Sequence, residues 1–352
     1  MERHRLVERA PSADALSVVR EICGLHAQVM SSAELSLWAR VEGLPREAVQ
    51  EALWTTRSLV KLWAMRGTLH LLPTAELGMW LSAFGTYTHY GNRTPEIDAI
   101  ADAVRDALDG RLLTRDELAT EVRRTTGSVV LEEWVRESWG TSLKAISFRG
   151  LLCFAPSENG RVRFTAPETW VSRMGRRPDA ESALREVTRR FLAAYGPATP
   201  KHFGLWWGGT GPTRARRMLE ALGDEVREVE LEGERAWLLA RDQTQLESAA
   251  PPRAARLLPA FDPWVAGASR TDDAVVDPVH RARVYRPQGW ISPVLLVDGR
   301  IMGVWRHALK TRRVVVELEP FGRLPGWARK ELEIEAERLA AFFERHLSLA
   351  YR

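Results

Sequence analysis

Three stretches of the chain repeat one order of predicted elements, in which helices are followed by two short strands that form a hairpin. In the first stretch, SADALSVVREICGL predicts a helix from Ser12, because its apolar residues recur at helical spacing. SSAELSLWARVEG predicts a second helix, and PREAVQEALWT predicts a third with Pro45 in its opening position. SLVKLWAMRGTLHLLP then predicts a hairpin that turns near Arg66 and Gly67. This order is typical of a winged helix.

The same order recurs twice more. The second series comprises PEIDAIADAVRDALDG, TRDELATEVRRTTG and EEWVRESWGTSLKAISFRG as helices, with Thr114 and Glu117 spaced as a capping box. Its hairpin, LLCFAPSENGRVRFTAP, turns at Asn159 and Gly160. The third series comprises SALREVTRRFLAAYG, TPKHFGLWWGG and GPTRARRMLEALG, followed by the strand-like VREVELEGERAWLLA. Repeated units of this kind predict a tandem of winged helices.

The pattern changes in the last hundred residues. Short β runs with turn signals extend from Leu257 to Glu319, and Asp298 with Gly299 forms a favourable hairpin turn. This segment predicts a small barrel or sandwich, and GWARKELEIEAERLAAFFERHL predicts a long terminal helix. The predicted fold class is therefore α+β, with three tandem winged-helix units followed by a small C-terminal β-barrel and a terminal helix. The predicted domains are residues 1–85, 86–178, 179–250 and 251–352.

Composition narrows the class of protein. The net charge of +4 and the pI of about 9.3 fit binding to a polyanion without demanding it. Two cysteines, Cys23 and Cys153, exclude a disulfide framework and a cysteine metal site, so we expect a reducing cytoplasm. The N-terminal segment lacks the apolar core of a secretory signal, and no run is long enough to span a bilayer.

His26 and Gln28 stand out in the apolar segment GLHAQVM. Residues two apart do not share a helix face, but they do share one face of an extended segment. A structural interpretation is a pair of buried polar residues that bond nearby backbone at a helix end. The alternative is that both side chains serve one reaction site.

Several segments together resemble the winged-helix DNA glycosylases of the AlkZ/YcaQ type. They are GLHAQVMSSAELSLWAR, RGTLHLLP, AYGPATPKHFGLWWG, LLPAFDPW and VLLVDGRIMGVWR, in the family's order over most of the chain. The resemblance implies tandem winged helices and a C-terminal β-barrel around a DNA-sized channel. It also implies excision of bulky N7- or N3-alkylated purines, including interstrand crosslinks, in DNA repair or in self-resistance to a genotoxic natural product.

The resemblance places the catalytic motif at residues 26–28. The family pattern is Gln–apolar–Gln or Gln–apolar–Asp, whereas this chain has His26–Ala27–Gln28, so it departs at the first position. An N7-alkylguanine is already cationic and leaves without a strong general acid. Gln28 is expected to orient a water and stabilise positive charge at the sugar, and His26 to accept the water's proton. No lysine nucleophile lies in this stretch, so we expect hydrolysis without strand cleavage.

Other residues are candidates for DNA binding or for lining the channel. Each has a plainer interpretation: the solvent face of a wing for Arg66, Thr68 and His70, an Asx turn for Asp262 before Pro263, or a solvated charged loop after Trp305. Winged helices ordinarily bind phosphates through a basic helix, which favours the arginines of GPTRARRM. The candidates are Arg66, Thr68, His70, Lys144, Arg149, Arg214, Arg216, Arg217, Asp262, Trp264, Trp305 and Arg306, with Lys310, Arg312 and Arg313 as further phosphate contacts.

No dinucleotide or phosphate loop and no zinc-ligand spacing occurs, so we predict neither a metal nor an organic cofactor. The predicted partner is double-stranded DNA carrying alkylated purines, bound by a cytoplasmic monomer without membrane association. Two alternatives remain open: a non-enzymatic winged-helix DNA-binding protein or regulator, and an inactive relative that shields adducts.

Overall fold

A computed structural model describes residues 1–87, 94–137, 140–267 and 272–352. Both helices and strands occur throughout these ranges, so the α+β class is confirmed. The chain forms two compact units, each assembled from separate segments. Unit 1 comprises Met1–Ala48, Phe191–His202 and Asp224–Arg352, and unit 2 comprises Val49–Arg190 and Phe203–Gly223. No helix in the described ranges has the length and hydropathy needed to cross a membrane.

The helices of the described ranges are mostly short, and the longest bury one apolar stripe. In chain order they are α1 (Ala15–Glu21), α2 (Met30–Trp38), α3 (Ala48–Trp54), α4 (Leu77–Phe84), α5 (Pro95–Leu108), α6 (Arg115–Thr126), α7 (Val129–Arg136), α8 (Thr141–Phe148), α9 (Pro167–Trp170), α10 (Ala180–Tyr195), α11 (Pro200–Trp207), α12 (Pro212–Glu220), α13 (Gln243–Glu247), α14 (Pro263–Gly267), α15 (Arg281–Val284) and α16 (Gly326–Phe342).

The strands are likewise short and lie between the helices. They are β1 (Ala10–Pro11), β2 (Leu25–His26), β3 (Val41–Glu42), β4 (Leu59–Trp63), β5 (Leu69–Pro73), β6 (Leu113–Thr114), β7 (Cys153–Glu158), β8 (Arg161–Thr165), β9 (Val226–Leu231), β10 (Glu234–Leu239), β11 (Ala255–Leu258), β12 (Val294–Val297), β13 (Arg300–Leu309), β14 (Arg313–Pro320) and β15 (His346–Tyr351).

Unit 1 is built on a five-stranded sheet with the strand order β11-β12-β13-β14-β15. Its neighbours are antiparallel except for β14 and β15, which run parallel because α16 connects them. Alternate residues of β13 and β14 are buried, as expected for a sheet with one face in the core. The turn between β12 and β13 has Asp298 at φ 48° and Gly299 at φ 82°, which confirms the predicted hairpin turn.

The prediction of a small closed barrel was wrong. Closure would require β11 to pair with β15, and no such pairing occurs in the described residues. Helix α16 instead packs against both of these strands. The terminal helix that the sequence predicted therefore covers an open sheet.

Unit 2 contains the second predicted series. Helices α5 to α8 pack with a three-stranded sheet of order β6-β8-β7, and the β7–β8 hairpin turns at Asn159 and Gly160 as predicted. The capping box of Thr114 and Glu117 at the start of α6 is also confirmed. In the same unit β4 and β5 form the predicted hairpin, and the Trp63 indole packs on the Phe154 and Phe164 rings.

Several boundaries differ from the predictions, including one in the first series and one in the second. Helix α3 begins at Ala48 rather than at Pro45, after a turn. The single helix predicted from EEWVRESWGTSLKAISFRG is two helices, because Glu137 has an extended backbone and Gly140 has φ 64°; residues 138–139 lie outside the described ranges. Elements in the predicted order are present in all three series, whereas the division into three winged-helix domains stays a prediction.

Candidate active site

His26 lies directly after a sharp chain reversal at the end of α1. The Gly24 N–H donates to the Val19 carbonyl at 2.8 Å and the Cys23 N–H donates to the Arg20 carbonyl at 3.1 Å, which is the Schellman pattern of helix termination. Cys23 adopts φ 62° and Gly24 φ 98° in this turn. The chain therefore leaves the helix directly into β2, where the His26 side chain is buried.

Gln28 lies two residues after His26 and is exposed to solvent. Ala27 between them is fully buried, and α2 begins at Met30. The predicted extended segment is present only in part, because β2 ends at His26 and the chain bends at Gln28 and Val29 before α2. The motif combines one shielded imidazole with one carboxamide that solvent or a ligand can reach.

The plane of the imidazole is set by Phe261. The two rings stack at 5.0 Å between centroids with an interplanar angle of 10°. This separation and the near-parallel planes are those of a favourable offset stack. Phe261 covers one face of the imidazole and so limits how far the ring can tilt.

Phe261 itself has an unusual backbone. Its φ is 58°, in the left-handed region that bulky side chains avoid at a cost of about 1–2 kcal/mol. Such a conformation persists only where its surroundings fix it. Here the next residue, Asp262, caps α14 by accepting the Trp264 N–H at 2.9 Å, while its carbonyl accepts the Ala266 N–H at 2.8 Å.

A buried ion pair anchors Asp262 in turn. The Arg40 guanidinium donates to both oxygens of the Asp262 carboxylate, at 2.7 and 2.8 Å, and neither side chain is exposed. Arg40 also donates to the Ser36 carbonyl at 2.8 Å, in the last turns of α2. The pair therefore ties the helix that follows Gln28 to the loop that carries Phe261, and so holds together the two segments that shape the His26 environment.

Comparison of the whole chain with known proteins identifies its family. A family model described as DNA glycosylase AlkZ-like matches residues 19–342. The chain belongs to the AlkZ-like DNA glycosylase family. This AlkZ-like chain is accordingly an enzyme that hydrolyses N-glycosyl bonds in DNA.

A sequence comparison and a comparison with solved structures support the assignment. A Streptomyces sahachiroi protein described as an interstrand DNA cross-link repair glycosylase is 37% identical over an alignment of 353 positions, which covers 97% of this chain and 93% of the relative. The solved structure of the Streptomyces sahachiroi DNA glycosylase AlkZ resembles this chain with a TM-score of 0.87 and 36% identity, over 99% of this chain and 96% of that structure.

Other candidate residues of the AlkZ-like chain in unit 1 are placed differently from one another. Asp262 is fully buried in its ion pair, and its bond to the Trp264 N–H confirms the Asx turn. The Trp264 ring is half-buried and lies edge-on to the His4 ring at 5.3 Å. Trp305 is 3% exposed and its indole N–H donates to the Leu258 carbonyl at 2.8 Å, because its position on β13 faces the core. These side chains shape the unit from within.

Arg306, the next residue of β13, faces outward. It is exposed and pairs with Glu317, whose carboxylate also accepts from Arg352 at 2.8 Å. Hydrogen bonds from Arg306 lower the pKa of Glu317, which keeps this carboxylate ionised. Lys310, Arg312 and Arg313 are also exposed, and they surround the turn between β13 and β14.

The candidates in unit 2 are divided between structural bonds and the surface. Arg66, at φ 59° in the turn of the β4–β5 hairpin, donates to the Trp206 carbonyl at 2.7 Å. Thr68 donates to the Met65 carbonyl at 3.0 Å, and a ring nitrogen of the buried His70 lies 3.1 Å from the Thr68 carbonyl. Arg149 pairs with Asp98 at 2.7 Å.

The basic helices of unit 2 retain surface charge. Arg216 and Arg217 are exposed on α12, whereas Arg214 is half-buried and lies 3.5 Å from the Thr86 carbonyl. Lys144 on α8 is half-buried, and burial lowers its pKa. Their contact with DNA stays a prediction, and the geometry favours Arg216 and Arg217.

Three residues near the site were not predicted from sequence. Phe261 lies in the segment LLPAFDPW directly before the candidate Asp262, and this adjacency was the available signal. Arg40 and Trp290 carried no local signal, because their roles depend on partners far along the chain: Asp262 for Arg40, and Phe261 for Trp290 at 5.0 Å.

Proposed function

We propose that this enzyme is a monofunctional glycosylase that hydrolyses the N-glycosidic bond of bulky alkylated purines, N7-alkylguanine or N3-alkyladenine, and that it also unhooks interstrand crosslinks. The relative from Streptomyces sahachiroi is described as an interstrand DNA cross-link repair glycosylase, which supports this substrate class. The observation that carries the proposal is the pairing of a fixed imidazole, stacked on Phe261, with the exposed carboxamide of Gln28 two residues later.

The chemistry follows from the charge of the substrate. As the C1′–N bond breaks, its electron pair passes to the base and neutralises the alkylated ring, so no acid needs to protonate the leaving group. Positive charge develops on the sugar, where the Gln28 carbonyl dipole stabilises it and orients the attacking water. The water oxygen bonds to C1′ and its proton passes to His26. The products are a free alkylated base and an abasic site with an intact strand.

DNA binding is proposed to use the exposed basic residues. Arg216 and Arg217 on α12 hold the position of a recognition helix in the third predicted series, and Arg306 is exposed on β13. Such contacts position the enzyme on phosphates without reading sequence. We propose that the three helical series act as winged helices and that the enzyme binds DNA as a monomer.

The test is base release from duplex DNA with a single N7-alkylguanine, in a methyl and a bulky version, measured by chromatography. Gln28→Ala is expected to lower kcat about 10²–10³-fold, and His26→Ala about 10²–10⁴-fold, with DNA affinity retained. Gln243→Ala and His346→Ala, both at exposed positions outside the site, are matched controls. Tight binding by the wild type without release of either base would contradict the proposal and favour a shielding protein.

His26→Gln separates the roles of the two residues, because it restores the Gln–apolar–Gln pattern of the family. If His26 accepts the proton, the wild-type rate falls in acid as the imidazole becomes protonated. His26→Gln should then retain measurable activity but lose that acid limb. An unchanged pH profile in His26→Gln would refute the role of His26 as the base.

A further inference from the structure

An aromatic series connects His26 to the surface of unit 1. Phe261, which stacks on the imidazole, also packs against Trp290 with centroids 5.0 Å apart and an interplanar angle of 74°. Phe261 is 8% exposed, whereas Trp290 is 43% exposed. Since both centroid distances are 5.0 Å, the indole lies at most 10 Å from the imidazole.

The loop that presents Trp290 is fixed by its backbone. A tight turn at Pro287–Gly289 places Gln288 at φ 58° and Gly289 at φ 78°. The Arg286 N–H donates to the Trp290 carbonyl at 2.9 Å, and Tyr285 forms a β-bridge with Ile291 directly after it. The indole is thus a preorganised platform, so little conformational entropy is lost when a ligand packs on it.

Trp290 also borders a groove with a cavity volume of about 430 Å³. The groove carries four guanidinium groups, from Arg283, Arg286, Arg306 and Arg352, against the two carboxylates of Glu317 and Glu319. Glu317 pairs with Arg306 and Arg352, and Glu319 pairs with Arg283 at 2.5 Å. The balance of charge is positive, which suits a phosphate backbone.

A half-exposed indole beside a cationic groove is the arrangement with which proteins hold flat aromatic groups next to phosphates. We propose that Trp290 is a specificity-determining residue that stacks on a planar aromatic substituent of the purine adduct, while the arginines of the groove hold the adjacent phosphates. This inference rests on the proposed function. It assigns the substrate class as purine adducts whose planar polycyclic aromatic group can reach this indole, which lies at most 10 Å from the His26 imidazole.

A flanking DNA base offers the same flat face, and the experiment separates the two sources. Base release is measured from one duplex sequence carrying either N7-methylguanine or N7-(1-pyrenylmethyl)guanine, with wild type, Trp290→Ala and Trp290→Phe. Trp290→Ala should lower kcat/KM for the pyrenylmethyl substrate about 5- to 150-fold and leave the methyl substrate within about twofold. Trp290→Phe should recover part of the loss. Trp134→Ala, at a tryptophan 40% exposed on α7, should leave both substrates unchanged.

Pyrene emission supplies a second measurement that does not need turnover. Stacking on the indole should quench the emission of the bound pyrenylmethyl duplex in wild type and not in Trp290→Ala. An equal loss of kcat/KM on both substrates would overturn the proposal in favour of a flanking base or a structural role, and so would unchanged emission. Release of neither base by wild type would refute the proposed function, and the emission measurement would still decide whether Trp290 binds the aromatic group.

Discussion

The ion pair of Arg40 and Asp262 gives the sharpest prediction about the fold of unit 1. Both side chains are fully buried and joined by two hydrogen bonds of 2.7 and 2.8 Å. Removing one partner of such a pair leaves an uncompensated buried charge, which costs about 3–5 kcal/mol. Asp262→Asn keeps the shape and an acceptor for the Trp264 N–H, so its effect isolates the lost charge.

The magnitude can be converted into a melting temperature. For a cooperative unit of about 150–250 residues, 1 kcal/mol shifts Tm by about 2–4 °C. We therefore expect Asp262→Asn to lower Tm of unit 1 by about 6–20 °C, measured by circular dichroism and by urea unfolding. Arg40→Met combined with Asp262→Leu removes both charges, and it should recover most of the loss because an apolar pair fills the same volume.

The exposed pair of Asp102 and Arg105, joined at 2.8 Å, is the matched control. Asp102→Asn should change the free energy of unfolding by less than about 1 kcal/mol, since surface pairs contribute little. If Asp262→Asn were no more destabilising than Asp102→Asn, the buried pair would not anchor the Phe261 loop. Base release provides a second outcome: a loosened loop should reduce kcat at temperatures well below Tm.

Three further predictions concern stability. Burial lowers the pKa of Lys61 to about 8, so the protonated amine destabilises the folded state, and this effect decreases as the pH rises from 8 towards 10.5. Urea unfolding should therefore show that Lys61→Met stabilises the protein at pH 7 and does so much less at pH 10.5. Burial likewise holds the pKa of His4 well below 6.5, so the free energy of unfolding should decrease as the pH drops below 6.5. His4→Phe should reduce this decrease, and an unchanged dependence on pH in the variant would contradict the prediction. Gly175→Ala should destabilise the protein more than Gly110→Ala, although both residues have positive φ. A Cβ at Gly175 would lie 2.0 Å from the Ala75 carbonyl oxygen, whereas a Cβ at Gly110 would meet nothing within 4 Å. Equal shifts in Tm would refute the steric argument.

Local signals in the sequence were reliable wherever the residues that act together are neighbours in the chain. Thr114 and Glu117 form their capping box, and the turns at Asn159–Gly160 and Asp298–Gly299 have the positive φ values that those residues favour. The Asx turn at Asp262 belongs to the same class. Each depends on atoms at most a few residues apart, so no tertiary information is needed.

Signals that depend on distant partners were missed. The closed barrel predicted from the sequence was wrong, because closure depends on where α16 packs, and this helix contacts both β11 and β15. The sequence also did not separate Trp305 from Arg306, although β13 alternates and only the core decides which of the two faces inward. Arg40 could not be predicted as the partner of Asp262 for the same reason, because the two residues are 222 positions apart in the chain.

The sequence by itself determined most of the order of helices and strands, the position of His26 and Gln28 between two helices, and a resemblance specific enough to place the chain in its family. Periodicity, turn chemistry and motif order are properties of neighbouring residues, so they are written in the chain directly. Only the tertiary structure decided that Phe261 stacks on His26, that Arg40 and Asp262 hold Phe261 in place, and that Trp290 extends the series to the surface. These arrangements arise when distant segments are buried together. A buried charge is costly without a partner, and here that partner comes from a segment far away in the chain.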